Sequence, residues 1–210
     1  MKNIYWHIQM FLPEGRDGDS IESIKMLQES QPVIGTGEWD DLQCRYFKSS
    51  DNGGLNIGDI ILVREGSKPL ALCRVKSNSF TNKELEAKYI NRHYRYVDVL
   101  DFYNGKEFFP QPQGTLQRLI SNNTDSWKFI NNWYKQILNK METTKIVDIL
   151  KQKKQIILQG APGTGKTYIT ASVALSLIGE TFNPNDHKEI MEKYDKLIND
   201  KRIFFTTFHQ

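Results

Sequence analysis

The chain has 210 residues, of which 39% are hydrophobic and 11% aromatic, and its 28 basic and 25 acidic residues give a net charge of +3. This composition supports one large or two small packed domains and excludes wholesale disorder. The charge is too balanced to indicate nucleic-acid binding by itself. With only two cysteines, a disulfide framework is not expected. The sequence shows no leader-like N-terminal segment, which argues against secretion, and no apolar run of about 20 residues, which argues against a membrane span. We therefore expect a cytoplasmic protein.

Residues 1–114 are predicted to form a mostly β domain, because short β-type runs alternate with glycine and asparagine turns. The clearest hairpin is predicted at 60–64 and 70–75. Further strands are predicted at 4–11 and 94–102, and a short helix is predicted from Ser20. The stretch between the hairpin and the last strand is predicted to be irregular. Cys73 lies in an apolar run and is expected to be a buried thiol.

Residues 115–145 are predicted to form a helical linker between two domains. The pattern indicates a helix at 116–120 and then a longer helix from about Asp125, whose apolar residues recur at helical spacing: Ile130, Trp133, Ile137 and Met141. Apolar residues at 146–150 are expected to pack ahead of the second domain, which we place at 146–210.

A phosphate-binding loop is the most specific motif of the chain. Residues 156–167 match the pattern G-x-x-x-x-G-K-[ST], with an apolar run before the loop and an apolar-periodic helix after it. Glycines let backbone N–H groups converge on phosphate oxygens, and the helix offers its free N–H groups and positive dipole end. Lys166 would reach the β- and γ-phosphates, and the Thr167 hydroxyl would ligate Mg²⁺. The predicted nucleotide-binding residues are Gly160, Ala161, Gly163, Thr164, Gly165, Lys166, Thr167 and Tyr168.

The identity of the nucleotide, GTP or ATP, stays open, because backbone amides contact phosphates whichever base is attached. After the loop helix, the sequence predicts a helix that carries Ile190, Tyr194, Leu197 and Ile198 on one face, and a strand at 203–208. Phosphoryl transfer also needs an acidic site for metal and water, which often closes a later apolar strand. Since no apolar run ending in Asp-Glu follows the loop, we expect a truncated α/β P-loop segment of a longer ATPase or GTPase, inactive alone.

The loop at 156–167, together with Arg202-Ile-Phe-Phe-Thr-Thr-Phe-His-Gln210, resembles the opening of the AAA+ domain of McrB-type restriction motor proteins. This resemblance implies a homo-oligomeric ring that hydrolyses GTP and drives a McrC-like endonuclease subunit. No arginine finger and no downstream polar signature of that family is present in the sequence.

The N-terminal region resembles the EVE-like members of the PUA superfamily. The likeness is carried by Tyr5-Trp6-His7-Ile8, Gly35-Thr36-Gly37-Glu38-Trp39, residues 57–63 with 71–75, and Tyr96-Val97-Asp98-Val99. It implies a β-barrel that reads DNA, often a modified base. The fold expected for the whole chain is therefore an α+β, PUA/EVE-like barrel, a helical linker and a truncated AAA+ segment.

A reader of modified bases flips the base out of the duplex and stacks it on aromatic side chains. Trp39 is the first candidate for such a cage, because it lies in a polar loop; the alternative is that it plugs a small barrel. Asp40 or Asp41 could accept from an exocyclic amine, although acidic side chains in a loop are more commonly just solvated. Trp6 is expected to be half core and half pocket floor, and the opposite wall is expected among Phe80, Tyr89 and Tyr94. In residues 88–95, basic side chains alternate with aromatic side chains, so phosphate contacts are predicted for Lys88, Arg92 and Arg95. The alternative is that this segment is only an exposed edge strand.

Two other functions stay open. One is a non-enzymatic reader of modified DNA or RNA with a vestigial P-loop segment, and the other is an AAA chaperone that grips protein. The lone histidines, His93 and His209, have no partner at metal-ligand spacing, and we assign neither a catalytic role.

Overall fold

The computed structural model describes residues 4–10, 20–38, 42–89, 91–110, 113–161, 163–184, 186–204 and 206. The fold is α+β, and the chain separates into two compact units, Met1–Tyr134 and Lys135–Gln210. The units do not test the predicted functional boundaries at 114 and 145, which stay predictions.

The first unit contains a six-stranded mixed sheet that curls into a half-barrel. Its elements, in chain order, are β1 (Tyr5–Gln9), α1 (Ser20–Leu27), β2 (Val33–Thr36), α2 (Leu42–Lys48), a 3₁₀ turn (Asp51–Gly53), β3 (Ile60–Glu65), β4 (Lys68–Val75), α3 (Lys83–Tyr89), β5 (His93–Phe102) and β6 (Leu116–Leu119). The strand order is β2-β5-β4-β3-β1-β6. The pair β1 and β3 is parallel, and the other described pairs are antiparallel.

The curl of the sheet follows from two register shifts and one shared strand. Shifts occur between Val63 and Arg64 and between Leu72 and Cys73, and an irregularity of this kind bends the strand that carries it. Strand β5 has ten residues, and it pairs with β2 through its first half and with β4 through its second half. The inward side chains form one core cluster, which includes Trp6, Ile8, Met26, Phe47, Ile61, Cys73, Tyr94 and Val97.

The second unit is helical in its described part. Helix α4 (Asp125–Lys153) begins in the first unit and ends in the second, and it is followed by α5 (Lys166–Ile178) and α6 (His187–Asn199). Helices α5 and α6 pack through Ala171, Leu175, Ile190, Tyr194 and Leu197. Asp186 caps α6, because its side chain accepts from the backbone N–H of Glu189 at 2.9 Å. A separate cluster joins the end of α4 to α5 through Ile146, Val147 and Val173.

Several local predictions are confirmed. The hairpin is β3 and β4, the strands predicted at 4–11 and 94–102 correspond to β1 and β5, and helices begin at Ser20, Asp125 and Lys166. Cys73 is buried, as expected. In α4, Ile130, Trp133 and Ile137 are buried, but Met141 is exposed.

In the first unit, two predictions of secondary structure are wrong and one helix was missed. Residues 116–119 form strand β6, because β1 offers them an antiparallel pairing in which Leu119 lies opposite Tyr5. The stretch predicted to be irregular contains α3, whose start is capped by the Asn82 side chain accepting from the N–H groups of Glu84 and Leu85. Helix α2 was not predicted. It buries Cys44 and Phe47, three residues apart on one face.

The strands predicted at 156–158 and 203–208 are not formed in the described residues of those segments. A strand is defined by its hydrogen-bonded neighbour, and no described segment of the second unit supplies one. The α/β character predicted for 146–210 is therefore not seen in this part of the chain. In the described residues, no helix combines the length and apolar content that crossing a membrane requires.

Candidate functional site

The loop at 160–165 has the backbone that its glycines allow. Gly163 and Gly165 have φ of +78° and +77°, a left-handed conformation that costs other residues roughly 1–2 kcal/mol. A Cβ built at either glycine meets no atom within 4 Å. The space beside these two residues is therefore open, as an approaching ligand requires.

The Lys166 ammonium lies against the backbone of its own loop. Its Nζ donates to the carbonyl oxygen of Gly160 at 2.8 Å and of Ala161 at 2.7 Å, and the Thr164 hydroxyl lies 3.3 Å away. The Thr164 hydroxyl itself donates to the Ala161 carbonyl at 2.8 Å. These bonds close the loop around the ammonium, so a positive charge already stands among the residues predicted to bind phosphate.

Helix α5 begins at Lys166 and presents its N-terminus to the loop. Gly165 is the N-cap and makes no side-chain capping bond, since glycine has no side chain. The first N–H groups of a helix have no intrahelical acceptor, and the helix dipole places partial positive charge beside them. Thr167 is exposed in this first turn. The arrangement offers N–H donors, an ammonium and a hydroxyl to an anionic ligand.

Tyr168 contacts the segment before α6. Its hydroxyl donates to the Pro184 carbonyl, and its ring stacks on His187 with centroids 5.2 Å apart and planes 8° apart. Partial burial raises the pKa of the phenol. In this structure Tyr168 therefore joins α5 to the segment at the start of α6, a contact that the sequence motif did not indicate.

The loop fits a nucleotide with Mg²⁺ in part. The open space at Gly163 and Gly165 and the ammonium suit phosphate oxygens, and the Thr167 hydroxyl suits a hard cation. Across the described residues, no group of three or more His, Cys, Asp or Glu side chains could hold a metal ion. The one protein ligand predicted here is thus Thr167, and phosphates and water would have to supply the rest, as is usual for Mg²⁺.

In the first unit, Trp39, Asp40 and Asp41 lie outside the described residues, so the centre of the predicted base cage stays a prediction. Phe80 and Tyr94 are brought together: each donates its backbone N–H to the carbonyl of the other, at 2.9 and 2.8 Å. Trp6 lies on β1, and two strands separate β1 from β5 in the sheet.

Three of the predicted cage residues are buried. Trp6 and Tyr94 are 1% and 0% exposed, and Tyr89 is 4% exposed. Trp6 donates from Nε1 to Asp59 at 2.8 Å, and the Tyr94 hydroxyl donates to the Asn91 carbonyl at 2.7 Å. Burial raises the pKa of Tyr94. Rings enclosed in this way present no free face to a base, so the structure assigns them to the core; Phe80 is half-buried.

The three side chains predicted to contact phosphate differ in their exposure and in their bonding partners. Arg95 is 1% exposed and donates to the carbonyls of Phe47 at 2.7 Å and Ser77 at 2.9 Å, and burial lowers its pKa to about 10. These bonds give Arg95 a structural role in place of the predicted contact. The ammonium of Lys88 is held by Glu29. The Arg92 side chain is 63% exposed, and its Nε lies 2.8 Å from the Glu38 carboxylate.

Two basic side chains meet at Glu38, the described residue that directly precedes Trp39. The Glu38 carboxylate lies 2.8 Å from Arg92 Nε and 3.9 Å from Lys48 Nζ, and 3.7 Å from His93 Nε2. Burial lowers the pKa of His93, which keeps that imidazole neutral near pH 7. Among the described residues, this group therefore places two permanent cations, Arg92 and Lys48, against one carboxylate, Glu38.

A buried polar network in the first unit was missed by the sequence analysis. Arg64 is 2% exposed, and its guanidinium donates to His7 Nδ1 at 3.0 Å, to Gln9 Oε1 at 2.7 Å and to the Gly66 carbonyl at 2.8 Å. The alternation of His7 and Gln9 on a predicted strand could have shown that both face the same side. Their common partner, 55 or more residues away, could not be read from the sequence.

Comparison with protein families gave a match to part of the chain. Residues 118–207 match the model of the family described as Novel STAND NTPase 3, which is less than half of the chain. The matched range contains the loop at 160–165 and helices α5 and α6. No curated protein and no solved structure matches the chain. Residues 118–207 are therefore similar to an NTPase-like domain of this family.

Proposed function

We propose that residues 160–167 bind the triphosphate of GTP or ATP together with Mg²⁺. The observation that carries this proposal is the pair of left-handed glycines beside open space, with the Lys166 ammonium at the start of α5. The similarity of residues 118–207 to an NTPase-like domain supports the same conclusion. On binding, Lys166 would leave the carbonyls of Gly160 and Ala161 for phosphate oxygens, which bear full negative charge and are stronger acceptors.

The test is the affinity for a fluorescent GTP or ATP analogue, with and without Mg²⁺. Replacement of Lys166 by Ala removes a charge-assisted hydrogen bond, so we expect about a tenfold or greater loss of affinity. Lys151→Ala, which removes an exposed lysine at the end of α4, is the matched control and should bind as the wild type does. Equal affinity of Lys166→Ala and the control would refute a nucleotide site in this loop.

We further propose that the first unit contacts DNA and that the chain is the DNA-recognition and nucleotide-binding part of a McrB-like restriction NTPase. In that assignment the parent protein forms a homo-oligomeric ring and acts with a McrC-like endonuclease, and a modified base is read through an aromatic cage that includes Trp39. The supporting observation is that Arg92 and Lys48 lie against Glu38, which directly precedes Trp39 in the sequence. The half-barrel sheet is compatible with the PUA/EVE-like barrel of this assignment.

DNA contact is tested with the full chain by fluorescence anisotropy over a range of salt concentrations. Duplexes that carry N6-methyladenine, 5-methylcytosine, 5-hydroxymethylcytosine or no modification form the set. Arg92→Ala should weaken binding to all of them and make its salt dependence shallower, because one phosphate contact is lost. Lys106→Ala, an exposed lysine elsewhere in the first unit, is the control.

The outcomes separate the remaining functions. Preference for one modified duplex supports the base reader, and if nucleotide binding is absent it favours a non-enzymatic reader with a vestigial loop. Nucleotide binding without any salt-dependent DNA binding contradicts the DNA proposal and favours a remodelling factor that acts on protein.

A further inference from the structure

An open groove of about 520 Å³ lies on the first unit, where the segment before β2 meets β5 and the end of β4. Its lining includes Gln31, Lys76, Tyr96 and Asp98, none of which belongs to the predicted base cage. The volume falls in the range of about 300–1,000 Å³ that is typical of small-ligand sites.

The walls of the groove are joined by backbone hydrogen bonds. The N–H of Val97 donates to the Pro32 carbonyl at 2.9 Å, and the N–H of Lys76 donates to the Tyr96 carbonyl at 2.8 Å. The Ser77 hydroxyl accepts from the N–H of Tyr96 at 2.9 Å. Because three chain segments are fixed to one another, the groove is formed before any ligand arrives, which lowers the entropic cost of binding.

Tyr96 supplies an aromatic wall. Its ring is half-buried and lies 4.6 Å from the ring of Phe80, with 30° between the planes. Phe80 does not itself line the groove. Its ring packs against Tyr96 and so limits the rotation of the Tyr96 ring. An aromatic side chain that is both held and partly exposed is a stacking platform for a planar ligand.

A charged pair stands in the same groove. Lys76 Nζ and Asp98 Oδ1 are 2.9 Å apart, and both side chains are about half exposed, at 54% and 49%. The ammonium can bind a phosphate, and the carboxylate can accept from an exocyclic amine. The Gln31 side chain, which offers both donors and an acceptor, lines the same space.

These features together select one ligand chemistry. A purely apolar ligand would leave the ammonium and the carboxylate desolvated, and a simple anion would contact neither the aromatic wall nor the carboxylate. A planar ring with an amine and an attached phosphate meets the aromatic wall, the carboxylate and the ammonium at once. We propose that this groove binds a nucleobase together with its phosphate, either as a free nucleotide or as a base within a single strand.

The test is the change in backbone amide NMR signals of the full chain when dAMP, dCMP or a single-stranded oligodeoxynucleotide is added. Signals of Gln31, Val97 and Asp98 should move if the groove is occupied. Signals of Gly163 and Gly165 report the phosphate-binding loop separately. The two sites are thus distinguished within one titration, and the proposal for the loop stands or falls independently.

Variants of two groove residues then assign the interaction. Tyr96→Leu should weaken binding about tenfold or more, because base stacking is lost, while Tyr96→Phe retains the ring and the affinity. Lys76→Ala should weaken binding a few-fold and make its salt dependence shallower, with Lys106→Ala unchanged as the control. Lys76 is exposed, so this variant tests the site even if Tyr96→Leu fails to fold.

Shifts with the oligonucleotide alone identify a base within a strand as the ligand, and shifts with the monophosphates alone identify a free nucleotide; both support the proposal. The proposal is overturned if the groove amides do not move with any of the three probes. It is also overturned if folded Tyr96→Leu and Lys76→Ala both bind as the wild type does.

Discussion

The guanidinium of Arg64 donates from Nε to Nδ1 of His7 at 3.0 Å, in the interior of the first unit. Since Nδ1 is the acceptor here, the imidazole is neutral and its proton is on Nε2, which donates to Gln117 Oε1 at 2.9 Å. Burial, and then the nearby positive charge of Arg64, lowers the pKa of His7 to about 4. The network therefore requires an uncharged histidine.

This requirement makes the first unit sensitive to acid. Above pH 6.5, His7 is neutral in the folded and the unfolded chain, so it contributes no pH dependence. Between pH 6.5 and about 4 the unfolded chain binds a proton that the folded chain does not, so stability falls as pH falls. The full loss amounts to roughly 3 kcal/mol. Urea unfolding followed by tryptophan fluorescence reports this unit, since all four tryptophans precede residue 135. A His7→Gln chain should lose most of this slope, and an unchanged slope would show that other groups cause it.

Arg64 itself is expected to be essential to the first unit. Arg64→Met removes the donor to the buried Nδ1 of His7, to the part-buried Gln9 side chain and to the carbonyls of the exposed Gly66 and Gly114. A buried acceptor left unpaired costs about 1–3 kcal/mol, so a loss of about 1–3 kcal/mol is expected in the same urea experiment. Arg92→Met is the control, since its side chain is exposed, and should change stability by about 0.5 kcal/mol or less. Similar stability of the two variants would contradict the role assigned to Arg64.

The sequence predicted local features well and non-local ones poorly. The hairpin at 60–75 and the helix from Lys166 were found because alternation, turn residues and helical spacing are visible within short windows. Strand β6 was missed because only its pairing with β1 decides between helix and strand for four residues. At the site, the glycines, Lys166 and Thr167 could be named from spacing. The contact of Tyr168 with His187 and the groove at Tyr96 depend on segments that meet only in the fold.

Cys73 is expected to be inert in the folded protein. The thiol is fully buried on β4, and burial, with a smaller effect of Asp98, raises its pKa, so the reactive thiolate is suppressed. Iodoacetamide should therefore fail to label Cys73 until urea unfolds the first unit, and peptide mass spectrometry can follow this residue separately from Cys44. Labelling of Cys73 in buffer at the rate of a free thiol would show that strand β4 opens without global unfolding.

Helix α5 carries a matched pair of glycines that separates backbone strain from ligand binding. Gly165 precedes the helix with φ of +77°, Gly179 follows it with φ of +82°, and a Cβ at either position meets no atom within 4 Å. Alanine at either site should therefore cost a similar roughly 1–2 kcal/mol of stability, because only the left-handed conformation is penalised.

Their effects on nucleotide binding should differ. Gly165→Ala places a methyl group in the space proposed for phosphate and shifts the first N–H donors of α5, so affinity for the fluorescent nucleotide should fall about tenfold or more. Gly179 lies at the other end of the helix, where its backbone N–H donates to the carbonyls of the C-terminal cap. Gly179→Ala should therefore leave the affinity for nucleotide unchanged. Parallel titrations and thermal melts of the two variants make the comparison. Equal loss of affinity in both would mean that helix stability limits binding, whereas loss in Gly165→Ala alone would locate the phosphates at the N-terminus of α5.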